Sequence, residues 1–487
     1  MKRFYAFALA FLMLTVLIVP CVSAVPAFPE EACEDAVASL LECSVRIDEM
    51  IERCSSFVEK GGLDDPYNSA RLIVKCEGEP DTSGSLGFVS GRNGRWAVQY
   101  SSPAEAREAA ERLSLDPRVA YAVPDTEYRA EFSASGVSPC GLEGFNSWGY
   151  GAEHVGMAAL YDQLLAKYGS VEAMPEVIVA VCDSGVNVGH EFLAGRTVAG
   201  YDFVNNDADP SDGFGHGTFC AGVVADGTLP NVRIMPLKCI NDDGYFSTSD
   251  VVEAVEYAYL HGCAAANMSL IEYNPYVEAL YDEVVNAATD AGMVCCVASG
   301  NWSGNASDFV PGKIERSFTV AAHYQDHTMW PLSNVGSAVD ITAPGVDIMS
   351  TTNTGGYDVQ SGTSFAAPHA AACCAMIKTL EPSLDADSIM DLLKDNAVDE
   401  GYTGGGAGRL YVGSLDAYDP PPYLLGDANF DGRVDALDAL LVMRFSMGLE
   451  TLSEEARLTA DVDHNGVTDA TDALKIMRYA LGLISSL

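Results

Sequence analysis

The chain has 487 residues, enough for about three or four domains. It carries 27 Lys and Arg against 69 Asp and Glu, a formal net charge of −42, and this excess argues against binding to nucleic acid or to an anionic membrane surface. The same balance is compatible with bound calcium, whose ligands are carboxylates. A hydrophobic fraction of 48% excludes an intrinsically disordered acidic protein.

The first 24 residues have the pattern of a secretory signal peptide. Lys2 and Arg3 precede an apolar run from Phe4 to Val19, and small residues follow up to Ala24. This order predicts export with cleavage after Ala24. The alternative is an uncleaved membrane anchor, for which the apolar run is slightly short. We therefore expect a secreted protein with no membrane insertion after the signal is removed.

The chain contains 14 cysteines, one of which, Cys21, leaves with the signal. Export permits disulfides, and their pairing is left open. Cys182, the pair Cys295–Cys296 and the pair Cys373–Cys374 lie in apolar stretches. Their positions favour buried free thiols that behave as small hydrophobic side chains.

Two segments precede the main body of the sequence. Residues 25–69 have a helical pattern whose role is left open. Residues 70–131 are predicted to form a small α+β unit, with a helix that begins after Ser102 and has Pro103 at its first position. The predicted strands of this unit are Arg71–Lys75, Trp96–Tyr100 and Arg118–Val123.

Apolar runs then alternate with helical patterns. The runs are Val177–Cys182, Val232–Lys238, Ala264–Leu270, Met293–Ala298 and Phe318–Ala322, and the helical patterns include Thr248–His261 and Val277–Ala291. Continuous apolar strands are typical of sheets that are buried on both faces. The alternation predicts an α/β fold with a mostly parallel sheet flanked by helices.

Three polar residues stand where such a sheet carries its sites. Asp183 follows the first apolar run, His216 opens a helix rich in Ala and Gly, and Ser364 precedes an Ala-rich helix. Open α/β sheets place sites at the carboxyl ends of their strands. An Asp can hold a His in the correct tautomer, and the His can take the proton of a Ser. Each residue alone is ordinarily structural, but the three together in this order favour nucleophilic catalysis.

The motifs around these residues resemble those of the subtilisin-like serine proteases. They read Asp183-Ser184-Gly185, His216-Gly217-Thr218 and Gly362-Thr363-Ser364-x-Ala-x-Pro, and a fourth match is Ala298-Ser299-Gly300-Asn301. The resemblance covers residues 148–418 and implies a subtilisin-like peptidase domain there. It implies a serine endopeptidase that hydrolyses peptide bonds through a covalent acyl-enzyme.

The resemblance also implies a role for each residue. Asp183 orients His216, which acts as general base and then as general acid. Ser364 attacks the scissile carbonyl, and Asn301 stabilises the tetrahedral oxyanion. The alternative is a catalytically silent binding or inhibitor protein that keeps the same fold, and labelling by a serine-directed fluorophosphonate separates the two.

Two further features bear on the resemblance to the subtilisin-like proteases. The family usually has Ser-Leu-Gly in the strand that lines the substrate cleft, whereas this chain has Ser269-Leu270-Ile271-Glu272, which puts subsite preference in question.

Subtilisin-like proteases often carry an α+β propeptide that assists folding and inhibits the cleft. Residues 70–131 resemble it, and we expect cleavage between Tyr128 and Trp148.

A proline-rich linker, residues 419–423, leads to an internal repeat in which Gly426–Leu449 recurs 34 residues later. Each copy begins with oxygen ligands at the spacing of a calcium loop, with Asp in place of the usual Glu at position 12. The predicted ligands are Asp427, Asn429, Asp431, Arg433, Asp435 and Asp438 in the first loop and Asp461, Asp463, Asn465, Val467, Asp469 and Asp472 in the second. Arg433 and Val467 would contribute their backbone carbonyls.

Two loop–helix pairs after a proline linker resemble a dockerin module over residues 424–487. The resemblance implies two bound Ca²⁺ ions and a cohesin partner on a scaffoldin, as in a cellulosome. It implies that Ala436-Leu437, Ala470-Thr471, Arg444 and Arg478 set partner choice. It also allows further calcium sites in the peptidase domain. A second alternative is a structural calcium-binding surface protein in which only the repeat matters.

Overall fold

The computed structural model describes residues 69–91, 93–130, 150–413, 415, 426–429, 433–460, 462 and 468–480. The predicted signal peptide, nearly all of the segment 25–69 and the linker 419–423 lie outside these residues. Among the described helices, none combines the length and the apolar character needed to cross a lipid bilayer.

Residues 69–130, here called the amino-terminal unit, form an antiparallel sheet with one helix on it. Its elements are β1 (Arg71–Cys76), β2 (Gly87–Ser90), β3 (Arg95–Gln99), α1 (Pro103–Leu113), β4 (Val119–Pro124) and β5 (Glu127–Arg129). The sheet order is β2-β3-β1-β4. Ser102 caps α1 by accepting from the backbone N–H of Glu105, as the sequence predicts.

Strand β1 of this small sheet is buried on both faces, against different neighbours. Leu72 and Val74 of β1 pack with Leu113 of α1. Ile73, which points the other way because side chains alternate along a strand, belongs to the core cluster of the following residues. The amino-terminal unit therefore shares part of its core with the unit that comes next.

Residues 150–415, the central unit, contain the large sheet. Its strands are β6 (Val177–Asp183), β7 (Tyr201–Asp202), β8 (Val232–Lys238), β10 (Ala265–Met268), β11 (Val294–Ala298), β12 (Phe318–His323) and β13 (Ile341–Pro344). They lie in the order β13-β12-β11-β10-β6-β8-β7, and every pair is parallel. This confirms the predicted mostly parallel α/β sheet.

Helices cover both faces of the sheet, which is why the strands are continuously apolar. The helices are α2 (Tyr150–His154), α3 (Met157–Tyr168), α4 (His216–Asp226), α5 (Thr248–Leu260), α6 (Glu278–Asp290), α7 (Thr363–Leu380) and α8 (Ala386–Asp395). Helices α5 and α6 pack on one face together with Ala180 and Cys182. Helices α4 and α7 pack against each other on the other face.

Short strands complete the central unit. These are β9 (Tyr245–Ser247), β14 (Ile348–Thr351) and β15 (Tyr357–Gln360). Strands β14 and β15 form a hairpin, whereas β9 pairs with β5 of the amino-terminal unit.

The described cysteines confirm the expectation of free thiols. Nine cysteines lie in the described part of the chain, and all nine are buried and free. They include both members of the pairs Cys295–Cys296 and Cys373–Cys374. Burial raises the pKa of the thiols of Cys182, Cys295, Cys296 and Cys373, so these four stay protonated.

The carboxy-terminal unit is helical. It contains α9 (Ala436–Ser446), α10 (Glu454–Ala460) and α11 (Ala470–Ala480). Helices α9 and α11 pack together through Ala439, Val442, Ala473 and Ile476. The repeated loop–helix pairs thus meet through residues that are equivalent in the two copies.

Candidate active site

Asp183 and His216 form a buried pair at the carboxyl edge of the sheet. Asp183 is the last residue of β6, and His216 is the first residue of α4. His216 Nδ1 lies 2.8 Å from Asp183 Oδ1 and 2.9 Å from Oδ2. Because a carboxylate only accepts, Nδ1–H donates to Asp183 and Nε2 is the nitrogen that can accept a proton.

The electrostatics of this pair favour a basic imidazole. Burial disfavours the charged form of His216, but the attraction of Asp183 outweighs it and raises the pKa of His216. The backbone N–H of Ser184 also donates to Asp183 Oδ1, over 2.7 Å. Asp183 is thereby fixed as an acceptor facing the ring.

Ser364 lies near the start of α7 and faces the same cleft as His216 and Asn301. Its side chain is largely buried, with 9% of the residue exposed. Ser364 Oγ is 3.4 Å from the carbonyl oxygen of Ser269, and Ser269 Oγ donates to the Ser364 carbonyl over 2.7 Å. The first turn of α7 leaves backbone N–H groups without a partner inside the helix, as at any helix start.

Thr363 fixes the orientation of the Asn301 amide. Asn301 Oδ1 accepts from the Thr363 backbone N–H at 2.9 Å and from Thr363 Oγ1 at 2.8 Å. Thr363 Oγ1 in turn accepts from the Gly300 N–H at 3.0 Å. With Oδ1 occupied by two donors, Asn301 has Nδ2 left to donate into the cleft.

Asp212 is a residue of the site that the sequence reasoning missed. Its Oδ1 accepts from Ser184 Oγ at 2.8 Å and from the Gly215 N–H at 2.7 Å. Its Oδ2 accepts from the Thr218 N–H at 2.9 Å. The carboxylate therefore joins the end of β6 to the start of α4 and holds the two motifs together. Its place four residues before His216, in a glycine-rich turn, is the signal available in the sequence.

Glu272 lies away from the cleft, although it follows the residues that line it. Leu270 and Ile271 line the cleft, whereas Glu272 is fully buried and accepts from Tyr281 Oη at 2.6 Å and from Thr248 Oγ1 at 3.0 Å. Burial raises the pKa of Glu272 to about 8. Its carboxyl group therefore packs beneath the loop, against Tyr281 and Thr248, and does not line the cleft.

The end of the amino-terminal unit lies in the cleft. Strand β5 pairs antiparallel with β9 in the register Tyr128↔Phe246, and the Ala130 N–H donates to the Gly244 carbonyl over 2.6 Å. Arg129 and Ala130 line the same cleft as His216 and Ser364. Neither β5 nor β9 is predicted from the sequence.

Helices α5 and α6 carry the rest of this contact. Asp125 is buried and accepts from the Ser249 N–H at 3.0 Å at the start of α5, where a negative charge is favourable. Lys75 pairs with Glu283 at 2.6 Å. Arg95 forms an ion pair with Glu256 in which both side chains are almost completely buried. The amino-terminal unit thus presents cations to the acidic side chains of the two helices.

The described part of the first repeat loop closes on Asp438. This buried carboxylate accepts from the Ala428 N–H at 2.9 Å, the Asn429 N–H at 3.2 Å and the Asp435 N–H at 2.9 Å. Asp427 is also buried. Burial raises the pKa of Asp438 to about 6. Buried carboxylates gathered at one loop fit a hard cation such as Ca²⁺.

The second loop is described only at its end. There the Asp469 N–H donates to Asp472 Oδ2 over 2.9 Å, the same contact that Asp435 makes with Asp438. The structure therefore describes Asp427, Asn429, Arg433, Asp435, Asp438, Asp469 and Asp472 among the predicted ligands. The remaining predicted ligands lie outside the described residues and are Asp431, Asp461, Asp463, Asn465 and Val467.

Comparisons with known proteins match two parts of the chain. The model of the Subtilase family matches residues 175–416, and the model of the Dockerin type I domain matches residues 425–481. The first match contains Asp183, His216, Asn301 and Ser364. The second contains both repeat loops.

Three curated relatives illustrate the likeness. "Thermophilic serine proteinase" of Bacillus sp. (strain AK1) is 32% identical over 54% of this chain and 64% of its own length. "Alkaline serine exoprotease A" of Vibrio alginolyticus is 35% identical over 45% of this chain and 42% of its own length. The chain therefore spans less than two thirds of these two proteins. Subtilisin BL of Lederbergia lenta is 34% identical over 47% of this chain and 85% of its own length. The chain belongs to the subtilase family and carries a dockerin type I domain at its carboxy-terminal end.

Proposed function

We propose that the protein is a secreted serine endopeptidase. Its dockerin attaches it to a scaffold that carries cohesin domains. The observation that carries the catalytic part is the buried Asp183–His216 pair beside a cleft that His216, Asn301 and Ser364 share. The catalytically silent alternative keeps the fold but does not require all four side chains.

The proposed reaction assigns one step to each of these side chains. His216 Nε2 takes the proton of Ser364 Oγ as that oxygen attacks the scissile carbonyl, and Asp183 stabilises the imidazolium that forms. Asn301 Nδ2 and a backbone N–H at the start of α7 donate to the oxyanion. His216 then returns the proton to the leaving amine, which leaves an acyl group on Ser364. Water, activated by the same imidazole, releases the acyl group and restores Ser364.

A covalent probe tests this proposal directly. A fluorophosphonate is expected to label Ser364 and to be retained on the peptide that contains it, because only an activated serine reacts. Ser361→Ala, three residues upstream, is the matched control and is expected to label like the wild type. Absence of label from a chain freed of its amino-terminal unit would favour the silent binding protein.

Loss of the oxyanion donor gives a second prediction. Asn301→Ala is expected to lower kcat by about 10²–10³, the range known for such a donor in a subtilisin, with little change in KM. Thr363→Val removes one of the two bonds to Asn301 Oδ1, so we expect a smaller loss in kcat. Steady-state kinetics on a peptide amide measure both. A rise in KM at constant kcat would assign Asn301 to substrate binding instead.

The amino-terminal unit is proposed to be an inhibitory propeptide. The pairing of β5 with β9 supports this role, because it places Arg129 and Ala130 in the cleft that a peptide substrate would occupy. The buried Arg95–Glu256 pair supports a specific complex, because burial of two charges requires a defined geometry. The proposed maturation removes residues up to a bond between Tyr128 and Trp148.

The complex between the proposed propeptide and the central unit is expected to weaken as the pH rises. Burial, and next the negative charge of Asp125, raise the pKa of Asp250 to about 7, against opposing contributions from Ser247 and Arg71. Asp202 adds a further negative charge. When the propeptide leaves, Asp125 leaves with it, so the pKa of Asp250 falls and its proton is released. The contribution of Asp250 to the affinity is therefore fully present below its pKa in the free enzyme and is lost as the pH rises through about 7, by up to about tenfold per pH unit.

The pH dependence of propeptide binding is measured with the cleaved propeptide and the processed enzyme. Inhibition of the enzyme between about pH 6 and pH 9 reports how far the propeptide has dissociated. Asp250→Asn is expected to flatten the profile. Asp282→Asn, an exposed change on α6, is the control and should keep the wild-type slope. A wild-type affinity that is constant over this range contradicts the prediction.

The dockerin is proposed to bind two Ca²⁺ ions and a cohesin on a scaffoldin. Asp427, Asn429, Asp435 and Asp438 would hold the first ion with Asp431 and the Arg433 carbonyl, and the ion would supply the charge that orders the loop. Leu437, at loop position 11, is 62% exposed and available to a partner. This attachment would keep the secreted enzyme in an extracellular complex such as a cellulosome.

Cohesin binding is expected to require calcium. Chelation with EGTA should abolish binding to a type I cohesin, and restored Ca²⁺ should recover it. Asp438→Ala and Asp472→Ala each disable one loop, and the double variant should fail to bind. The two single variants measure whether either half can serve alone. Unchanged binding in EGTA would contradict a calcium-ordered module.

A further inference from the structure

Three of the eight histidines of the chain lie together, away from the catalytic pair. His154 is the last residue of α2, His323 is the last residue of β12, and His327 lies in the turn that follows. His154 Nδ1 and His327 Nε2 are 3.1 Å apart, and the two rings meet edge to face. The two nitrogens share a hydrogen bond in which one ring donates and the other accepts, and it joins two segments that are distant in sequence.

A carboxylate lies behind one of these rings. Glu400 Oε1 is 3.3 Å from His327 Nδ1, the nitrogen opposite the one that faces His154. A carboxylate in this place holds the proton on Nδ1 and leaves a lone pair on Nε2, as it does behind metal-bound histidines. Arg409 fixes Glu400 from the other side at 2.9 Å. The backbone of His327 has φ 67, a conformation that few side chains adopt.

The third imidazole is also held with a free lone pair. His323 Nδ1 lies 2.6 Å from the Tyr324 carbonyl, so Nδ1 carries the hydrogen. Its Nε2 is buried and has no hydrogen-bond partner among the described residues. The ring centroids of His323 and His327 are 5.7 Å apart. A buried nitrogen acceptor such as His323 Nε2 is ordinarily paired with a donor in a folded protein.

We propose that a divalent transition-metal ion of the zinc class binds between His154 Nδ1 and His327 Nε2 and displaces the proton that the two nitrogens share to solvent, with His323 as the neighbouring third imidazole. Imidazole is a ligand of Zn²⁺, Ni²⁺ and Cu²⁺, and its metal–nitrogen distance is about 2.0–2.1 Å. Two such bonds place the nitrogens about 2.9 Å apart at a right angle and about 3.3 Å apart at the tetrahedral angle. The separation of 3.1 Å lies between these values.

The surroundings suit an ion that comes from solvent. The side chain of His327 is 34% exposed, so water has access to the pair and can fill the remaining coordination positions. The net charge of −42 raises the local concentration of cations. A bound ion would join α2 to the turn after β12 and to Glu400, and would therefore brace the amino-terminal end of the central unit. This site is independent of the proposed peptidase activity.

Titration calorimetry with ZnCl₂ tests the proposal. The protein is the full chain with Ser364→Ala, which prevents self-cleavage, in excess Ca²⁺, which occupies the dockerin loops. We expect one Zn²⁺ per chain at this site. His154→Ala and His327→Ala are each expected to weaken binding by more than tenfold, and Glu400→Gln by about tenfold. His261→Ala, just after α5, is the matched control and should bind as the parent does.

A second measurement covers variants that fold poorly. Co²⁺ bound by imidazole gives visible absorption, and its loss in Glu400→Gln reports the site without removal of a ligand. Among the described residues, the three metal-binding side chains whose ligand atoms lie within 4.8 Å of one another are those of Asp183, His216 and Cys220, so Cys220→Ser is included. The proposal fails if His154→Ala and His327→Ala bind Zn²⁺ as the control does, or if Cys220→Ser alone abolishes binding.

Discussion

Ser364→Ala is expected to abolish peptide hydrolysis and to leave the chain at full length. Oγ of Ser364 is the only atom in the proposed mechanism that bonds to the substrate, so no other side chain replaces it. In a subtilisin, loss of the nucleophile costs about 10⁶ in kcat, and we expect a loss of this order. Intact mass after incubation in calcium measures the maturation, and hydrolysis of a peptide amide measures the rate.

The wild-type chain should lose its amino-terminal unit by cleavage between Tyr128 and Trp148. Ser361→Ala, whose side chain contacts the Asp347 backbone outside the cleft, should mature like the wild type. If Ser364→Ala shortens at the wild-type rate in pure solution, Ser364 is not the nucleophile of that cleavage. If wild type and variant both remain intact while the fluorophosphonate still labels Ser364, the site is active and another protease matures the chain.

Asp183→Asn is expected to lower kcat by about 10⁴ with the fold intact. The reason lies in two hydrogen bonds. The Ser184 N–H requires an acceptor at the Oδ1 position, so the side-chain amide that the substitution introduces would turn its NH₂ toward His216. His216 Nδ1 would then have to accept, and its proton would move to Nε2, the nitrogen that must take the Ser364 proton. The variant therefore stabilises the wrong tautomer.

Steady-state kinetics and thermal unfolding measure the effect of Asp183→Asn. We expect kcat to fall while KM and the midpoint of unfolding change little, since Asn has the size of Asp. Asp282→Asn is an exposed substitution of the same kind and should leave kcat unchanged. A loss of less than about tenfold would mean that contacts other than Asp183 orient the ring.

The sequence predicts the parts of the site that depend on local motifs. Asp183, His216, Asn301 and Ser364 each follow a buried strand or open a helix, and parallel topology brings such positions to one edge of a sheet. The parallel sheet itself is predictable because continuous apolar runs alternate with helical patterns.

Contacts between distant residues are not predictable in this way. Strands β5 and β9 have three residues each, and neither has a strand pattern that is recognisable without its partner. Glu272 stands next to cleft residues in sequence, yet Tyr281 and Thr248 draw its side chain inward. Asp212 looks like a turn residue, and its bonds to Ser184 and Thr218 appear only when the two motifs are folded together.

The buried free thiols determine which redox conditions the described fold requires for folding. All nine described cysteines lie in the interior as free thiols, so the described part of the fold contains no covalent cross-link whose formation depends on an oxidant. Reducing agents therefore have no disulfide to break there, and chain assembly needs no isomerase for these residues. The described fold is thus expected to form equally well in a reducing cytoplasm and in an oxygen-free medium.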